Sequence, residues 1–189
     1  FYCESNQEIL DTVIQAYRIS ETLSLPSMVC LDGVYLSYLS ETVDIPDQEM
    51  VDQYLPPLNP LHKLEGGGWK LYDIFPPDRD PHAGDLMADR YELHKREVRS
   101  VATAIQCNED FDLIFGRSYP QVEEYCCEDA DVVLVMSGSA VGTARDVIDR
   151  MREEGHRVGL LKIKMFRPFP KDLLREKLAG KKKLAVIER

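Results

Sequence analysis

The hydrophobic pattern of the last third of the chain predicts strands and helices in alternation. Segments whose apolar residues recur at helical spacing separate three apolar runs, which cover 132–136, 158–166 and 184–187. Gly155 stands where the first of these helices ends, and Pro168 and Pro170 stand between the second apolar run and the next helix. Because apolar strands that alternate with helices are typical of a parallel sheet covered on both faces, we predict an α/β domain over 129–189.

The first apolar pattern along the chain predicts an amphipathic helix from Ser5 to Leu23. Ser5 and Glu8 have the spacing of a capping box, in which each side chain binds a backbone N–H of the other. The apolar residues at helical spacing, which we expect to face a core, are Leu10, Val13, Ile14 and Tyr17.

The pattern that follows predicts a strand and a second, shorter helix. The apolar run at 28–31, which includes Cys30, is typical of a short buried strand, and Asp32 and Gly33 end it. A helix is predicted over 48–55, before two prolines. We therefore interpret 1–58 as the end of another α/β domain.

The middle of the chain, 59–128, is predicted to be a linker and a helical connection. Proline and glycine cluster over 58–81, which indicates a surface excursion. Helical patterns follow at 85–106 and 109–115, and 122–126 is predicted to be a further helical turn.

Charge and composition argue against some classes of binding partner. The chain has 23 basic and 33 acidic residues, for a net charge of −10, and no basic stripe. Such a chain is a poor partner for nucleic acid or for an anionic membrane surface. No apolar run approaches the about 20 residues that cross a bilayer. The sequence starts without a methionine or the pattern of a signal peptide, so we expect an internal fragment.

The five cysteines indicate a reducing compartment. Their number is odd, two of them (Cys126 and Cys127) are adjacent, and no Cys-x-x-Cys pair occurs. This pattern is unsuited to a disulfide framework and offers no zinc or iron–sulfur ligand set. A cytoplasmic location is the expectation.

Three places carry candidate binding residues, each with a purely structural alternative. Ser137, Gly138 and Ser139 end a strand and begin a helix, where an anion binds well, but they also suit a plain turn and helix cap. Asp32 ends a strand and could meet a ligand or form an Asx turn. Arg167 could bind a carboxylate or phosphate, or pair with an acidic residue in a domain interface.

The other polar residues do not have the spacing typical of a catalytic site. The histidines have neither metal-ligand nor nucleophile spacing, and we expect them on the surface: His62, His82, His94 and His156. Several glutamates could act as acid or base in principle, with nothing to single one out: Glu41, Glu65, Glu123 and Glu124. We therefore predict no catalytic residue and no metal ligand within the chain.

Several short stretches together resemble one enzyme family. They are YCESNQE at 2–8, AYR at 16–18, LDG at 31–33, IPDQE at 45–49, FGR at 115–117, GS at 138–139 and RPFP at 167–170. In this order they resemble the α component of 2-oxoacid:ferredoxin oxidoreductases, especially the pyruvate enzyme. The resemblance implies that 1–58 is the end of a pyrimidine-binding domain of the thiamine-diphosphate-binding fold, and that 129–189 is the start of a transketolase C-terminal-like domain.

The resemblance also implies a reaction and its cofactors. The family decarboxylates a 2-oxoacid on thiamine diphosphate with Mg²⁺, passes electrons through 4Fe–4S clusters to ferredoxin, and forms an acyl-CoA. Its catalytic glutamate and substrate-binding residues lie upstream of the matching stretch, and its diphosphate site and clusters lie on other domains or subunits. The implied role of this chain is to brace these parts within an oligomer, with pyruvate or a branched-chain 2-oxoacid as substrate.

Two alternatives to this role stay open. One is a stand-alone α/β module that binds a nucleotide or CoA phosphate at the start of the helix, at Ser137–Ser139. The other is a structural adaptor without a ligand.

Overall fold

The computed structural model describes residues 1–58 and 86–188. The predictions for 59–85, including the excursion and the residues His62, Glu65 and His82, lie outside the described residues. The described elements, in chain order, are α1 (Asn6–Leu23), α2 (Gln48–Tyr54), α3 (Leu86–Phe115), β1 (Val122–Tyr125), β2 (Val132–Met136), α4 (Ala140–Glu153), β3 (Val158–Ile163), α5 (Lys171–Lys177) and β4 (Lys183–Val186).

The C-terminal strands form one sheet in the order β1-β3-β2-β4. Strand β2 pairs in parallel with both neighbours, so that Leu134 lies opposite Leu160 on one side and Ala185 on the other. Strand β1 is antiparallel to β3. The predicted α/β fold with a parallel sheet and flanking helices is confirmed, with one antiparallel edge strand added.

The helical turn predicted at 122–126 is wrong, because Val122–Tyr125 is strand β1. Val122 is buried in the core and pairs with Ile163, and Tyr125 pairs with Leu160. Local sequence cannot show this pairing, because the partner strand lies more than 30 residues away along the chain.

The sheet has an apolar core on each face because successive side chains of a strand point to opposite sides. Leu160 packs with α4, through Val141 and Ile148, and Leu161 packs with Val133 and with Leu174 of α5. The two flanking helices therefore lie on opposite faces, as right-handed crossovers between parallel strands require.

Helices α1 and α2 pack on α3 and form the N-terminal unit. Tyr54 of α2 is fully buried, its ring meets Phe111 and Phe115 edge-on, and its hydroxyl donates to the Cys107 carbonyl at 2.8 Å. Helix α2 is confirmed, ending one residue before its expected end, and the two helices predicted over 85–106 and 109–115 form a single helix.

Helix α1 begins as predicted, but the face that it buries is not the predicted apolar face. The Ser5 hydroxyl accepts from the Glu8 N–H at 3.2 Å, although the Glu8 carboxylate accepts from the Glu4 N–H and not from Ser5. Val13 and Tyr17 of the expected apolar stripe are 39% and 60% exposed. The buried face of α1 is mostly polar and consists of Glu8, Asp11, Thr12, Gln15, Ala16 and Ile19.

The buried strand predicted at 28–31 is also wrong. Cys30 makes an isolated parallel bridge with Tyr2 and is half-buried, and Met28 and Leu31 are exposed. A short apolar run that borders solvent looks the same in sequence as one that is buried. The residues described here contain no helix long and apolar enough to cross a membrane.

Candidate functional site

The loop Ser137–Ser139 lies between β2 and α4, at the carboxyl end of the sheet. Gly138 has φ +77°, so the expected glycine turn is confirmed. Ser139 is the N-cap residue of α4, as the structural alternative predicts, but its side chain makes no capping hydrogen bond, and its hydroxyl donates instead to Asp32 Oδ2 at 2.7 Å.

Asp32 is thereby brought to the same loop. Its Oδ1 accepts from the N–H groups of Val34 at 3.1 Å and Tyr35 at 3.4 Å, which confirms the Asx turn. Two of the three candidate places are thus in contact, because the Ser139 hydroxyl is hydrogen-bonded to the Asp32 carboxylate.

An open cavity of about 830 Å³ runs from Ser139 along α4 to β4. Its walls are largely apolar, with Met136, Val147 and Ile187 among them, and its carboxylates come from Glu4 and Glu41. Of these two, Glu4 is paired with Arg145 and Lys162, and Glu41 is exposed. Binding of an anion at Ser137–Ser139 stays a prediction.

Arg167 lies apart from this cavity. It is exposed, its guanidinium lies 5.1 Å from the centre of the Phe166 ring, and its peptide bond to Pro168 is cis. It lines a second, smaller cavity of about 460 Å³ with Phe1, Ile19 and Met165. The structure does not bring Arg167 to Ser137–Ser139.

The most concentrated group of charges in the described chain is buried between α1 and β3. The Lys162 ammonium of β3 lies 2.9 Å from both Glu8 carboxylate oxygens and 2.9 Å from Glu4 Oε2. Glu123 of β1 adds an oxygen at 3.6 Å. Burial opposes the charge on Lys162, but the Glu8 and Glu4 carboxylates outweigh it and raise the pKa of Lys162.

Arg145 of α4 extends this group toward solvent. Its guanidinium reaches Glu4 at 3.3 Å and Glu123 at 2.9 Å, and it lies over the Tyr125 ring at 5.0 Å. Each of the two carboxylates therefore has two cationic partners, Arg145 and Lys162.

Lys164 is the least compensated cation of the group. Its ammonium is 3.9 Å from Glu8 Oε1, donates to the Tyr119 carbonyl at 3.3 Å, and lies over the Tyr119 ring. Burial lowers the pKa of Lys164 to about 8, against the opposing attraction of Glu8.

A second buried carboxylate, Asp11, ties α1 to the segment that follows α3. Arg117 donates to both Asp11 oxygens, at 2.7 and 3.0 Å, and Tyr119 donates its hydroxyl at 2.8 Å. Arg117 also reaches Asp44 at 3.0 Å. Burial and the hydrogen bond to Asp11 raise the pKa of Tyr119.

We define the buried charge cluster as Glu4, Glu8, Glu123, Arg145, Lys162 and Lys164. The sequence did not predict this cluster, and Glu123 is its only member that we named as a possible acid or base. One signal was present: Lys162 and Lys164 interrupt an apolar run at alternate positions, which places both on one face of a buried strand. Two lysines on such a face require buried carboxylates opposite them.

The remaining candidates do not converge on a site. Glu124 pairs with Lys177 at 2.7 Å, and His94 and His156 are exposed, as expected. Among the described residues no three His, Cys, Asp or Glu side chains are placed to hold a metal ion.

The fold and the cluster define an α/β protein of two units that meet through buried charges. The model of the thiamine-diphosphate-binding part of pyruvate flavodoxin/ferredoxin oxidoreductases matches residues 1–120, and the model of pyruvate:ferredoxin oxidoreductase core domain II matches residues 130–189. The chain belongs to the pyruvate flavodoxin/ferredoxin oxidoreductase family. The resemblance seen in the sequence is confirmed.

Curated relatives agree with this family. The chain is 43% identical over its whole length to pyruvate synthase subunit PorA of Methanothermobacter thermautotrophicus, of which it covers 48%. It is 35% identical to ketoisovalerate oxidoreductase subunit VorA of Pyrococcus horikoshii, covering 47% of that protein. The chain therefore spans about half the length of the curated relatives it matches.

The solved structures that match include a 2-oxoglutarate:ferredoxin oxidoreductase from Magnetococcus marinus with 2-oxoglutarate, coenzyme A and succinyl-CoA bound. Identity is 26%, and the match covers 52% of this chain and 16% of that one. At a TM-score of 0.36 this likeness does not establish a shared arrangement.

Proposed function

We propose that the chain is part of the α component of a 2-oxoacid:ferredoxin oxidoreductase. The complete protein oxidatively decarboxylates a 2-oxoacid to an acyl-CoA and passes the electrons to ferredoxin. The observation that carries this proposal is the order of the two family models, which together match 1–120 and 130–189. Identity of 43% to a pyruvate synthase subunit over the whole chain supports it.

Within that protein, the role of this stretch is to brace the reacting parts. What supports this role is that the polar residues joining the two units, Glu4, Glu8 and Lys162, are engaged with one another in ion pairs. No step of the reaction is therefore assigned to these residues. Thiamine diphosphate, Mg²⁺, the 4Fe–4S clusters and CoA belong to the complete assembly.

The proposed assembly is an oligomer in the cytoplasm, with ferredoxin and further subunits or domains as partners. We assign 1–58 to the end of the pyrimidine-binding domain and 129–189 to the start of the transketolase C-terminal-like domain. The connection between them, 59–128, includes α3.

Pyruvate is the proposed substrate, and a branched-chain 2-oxoacid is the second candidate. Relatives named for pyruvate stand at 43% and 38% identity, and one named for ketoisovalerate stands at 35%. The ratio of kcat/KM for pyruvate and 2-oxoisovalerate, measured on the complete complex, decides between them. A ratio above one supports pyruvate, and a ratio below one supports the branched-chain acid.

The bracing role is tested by comparing the chain with the complete complex. Both are assayed with thiamine diphosphate, Mg²⁺, CoA, pyruvate and oxidised ferredoxin. We expect CO₂ release and ferredoxin reduction from the complex and neither from the 189-residue chain. Turnover by the chain would contradict the bracing role, and a complex inactive on every 2-oxoacid tried would contradict the proposed reaction.

A further inference from the structure

The contact surface between the N-terminal unit and the C-terminal sheet, which we call the seam, has little apolar packing. One apolar cluster joins α1 and α3 to the C-terminal part, and Met165 is the only buried residue that the C-terminal part gives to it. The other described clusters lie within one unit or the other, apart from Tyr119, which follows α3 and packs beside Phe111. Outside these clusters, the Tyr2 ring meets the Phe166 ring across the seam, edge-on at 5.8 Å. Hydrophobic packing is non-directional, and a contact of this small size does not fix one orientation of the two units.

Charged groups occupy the seam where apolar packing is thin. Glu4 and Glu8 come from the start of the N-terminal unit, and Lys162, Lys164 and Arg145 come from the sheet and α4. The side chains of Lys162 and Glu8 are 3% and 1% exposed. A buried ion pair has strict distance and hydrogen-bond requirements, and any sliding of α1 along β3 would leave a charge unpaired in the interior.

Backbone and polar contacts beside the cluster follow the same alignment. The Tyr2 N–H donates to the Lys164 carbonyl at 2.7 Å, and the Ser139 hydroxyl donates to Asp32 at 2.7 Å. Both bonds are present in the docking in which Glu8 meets Lys162. They cannot by themselves choose that placement, because a shifted chain could form equivalent hydrogen bonds or bind water.

We infer that the buried charge cluster is an orientation lock: it selects a single docking of α1 against β3, and it contributes more to the uniqueness of that docking than to the stability of the fold. The inference concerns the seam alone and does not depend on the reaction proposed above. The energetic basis is that desolvation of two charges largely cancels their attraction, so well-packed apolar replacements cost little stability while removing the geometric requirement.

The test measures the distance between the two units in the full chain. A genetically encoded spin-labelled amino acid, which avoids the five cysteines, replaces exposed Tyr17 of α1 and exposed Asp172 of α5. Double electron–electron resonance then gives the distance distribution. The unchanged cluster is expected to give one narrow distance.

Two variants remove the charges in different ways. In a chain that also carries Lys164→Met, so that no buried ammonium loses Glu8, the pair Lys162→Met with Glu8→Leu makes the contact apolar. In the unchanged background, Glu8→Gln keeps the shape of the side chain without its charge. We expect both to unfold cooperatively and to show a second distance, and the apolar pair to keep its thermal midpoint within about 5 °C of the parent. Lys177→Met, which breaks the Lys177–Glu124 pair inside the C-terminal unit, is the matched control and should keep the single distance.

Three results would overturn the inference. The first is a single parental distance in both charge-removing variants. The second is loss of cooperative unfolding in the apolar pair, which would make the cluster a source of stability. The third is a second distance in Lys177→Met, which would show that losing any ion pair loosens the chain.

Discussion

Gly159 is the residue whose identity the backbone restricts most tightly. A Cβ atom built on it would lie 2.6 Å from the Cys126 carbonyl oxygen and 3.0 Å from Cys127 Cα. Both are backbone atoms at the end of β1, so the neighbour cannot move aside as a flexible side chain would. Glycine is needed here for close approach of two chain segments, since its φ does not lie in the left-handed region.

We predict that Gly159→Ala lowers the free energy of unfolding by about 1–3 kcal/mol, because the added methyl group forces β3 away from β1. Gly142→Ala is the control. Gly142 lies within α4 with open space around its Cα, so alanine there should raise stability by about 0.5–1 kcal/mol. Urea denaturation of both variants gives the comparison, and equal effects would contradict the steric explanation.

Lys164 shows how burial and charge oppose each other at one side chain. Its pKa falls from the usual value of 10.5 to about 8, mainly through burial. Between these pH values the folded chain binds fewer protons than the unfolded chain, so this group makes stability rise with pH across that range. Below pH 8 the cost of burying the charge is fully present.

Lys164→Met should therefore be more stable than the parent at pH 7, by up to about 3 kcal/mol from the pKa shift. The advantage should shrink as pH rises from about 8 to about 10.5, where the parent lysine becomes neutral in both states. Unfolding free energies from urea titrations at pH 7, 9 and 10.5 test the sign. An advantage that grows with pH would show that Lys164 is held charged by Glu8.

At the scale of elements, helix α2 depends on one aromatic anchor. The Tyr54 ring packs edge-on against Phe111 and Phe115 of α3, which stack on each other, and its hydroxyl donates to the carbonyl of Cys107 within α3. A helix of seven residues is too short to be stable alone, so its position follows from this packing.

Removing the Tyr54 hydroxyl is predicted to destabilise the chain more than removing an exposed one. Tyr54→Phe leaves the buried Cys107 carbonyl without this donor and should cost about 1–2 kcal/mol. Tyr125→Phe breaks an exposed bond to Asp149 and should cost less than about 0.5 kcal/mol. Thermal or urea unfolding gives both values, and a Tyr125→Phe cost equal to that of Tyr54→Phe would contradict the role of burial.

At the scale of the whole molecule, the two units are coupled through few apolar atoms. Met165, which follows β3, is 2% exposed and packs in the cluster that contains Ile19, Ala104 and Cys107. Leu174 is similarly buried but lies in the core of the C-terminal sheet. Substitutions at these two residues therefore distinguish a loss of contact between the two units from a loss of stability within the C-terminal unit.

Met165→Ala is predicted to speed amide hydrogen exchange in α1 and α3, because the cavity forms at their contact with the sheet. Leu174→Ala should leave exchange in α1 and α3 unchanged and increase it in α5. Each change should lower stability by about 2–5 kcal/mol. Exchange followed by mass spectrometry checks the pattern, and identical patterns in the two variants would show that the chain opens as one unit.

The sequence determined the elements whose signals are local. The apolar run at 132–136 is strand β2, and the first six residues of the run at 158–166 are strand β3. Ser5, Gly138 and Gly155 marked helix ends and turns through their own side-chain chemistry and backbone freedom. The order of short motifs also identified the family. These features need no information from distant parts of the chain.

Only the tertiary structure decided which polar residues are buried. Glu8 and Asp11 lay outside the predicted apolar stripe of α1, and 122–126 was predicted to be helical, because their partners Lys162, Arg117 and β3 lie tens of residues away. A charge can enter the interior only when an opposite charge meets it there. A local pattern can indicate that such a partner is needed, as Lys162 and Lys164 do within an apolar run, but the folded arrangement alone decides which residue it is.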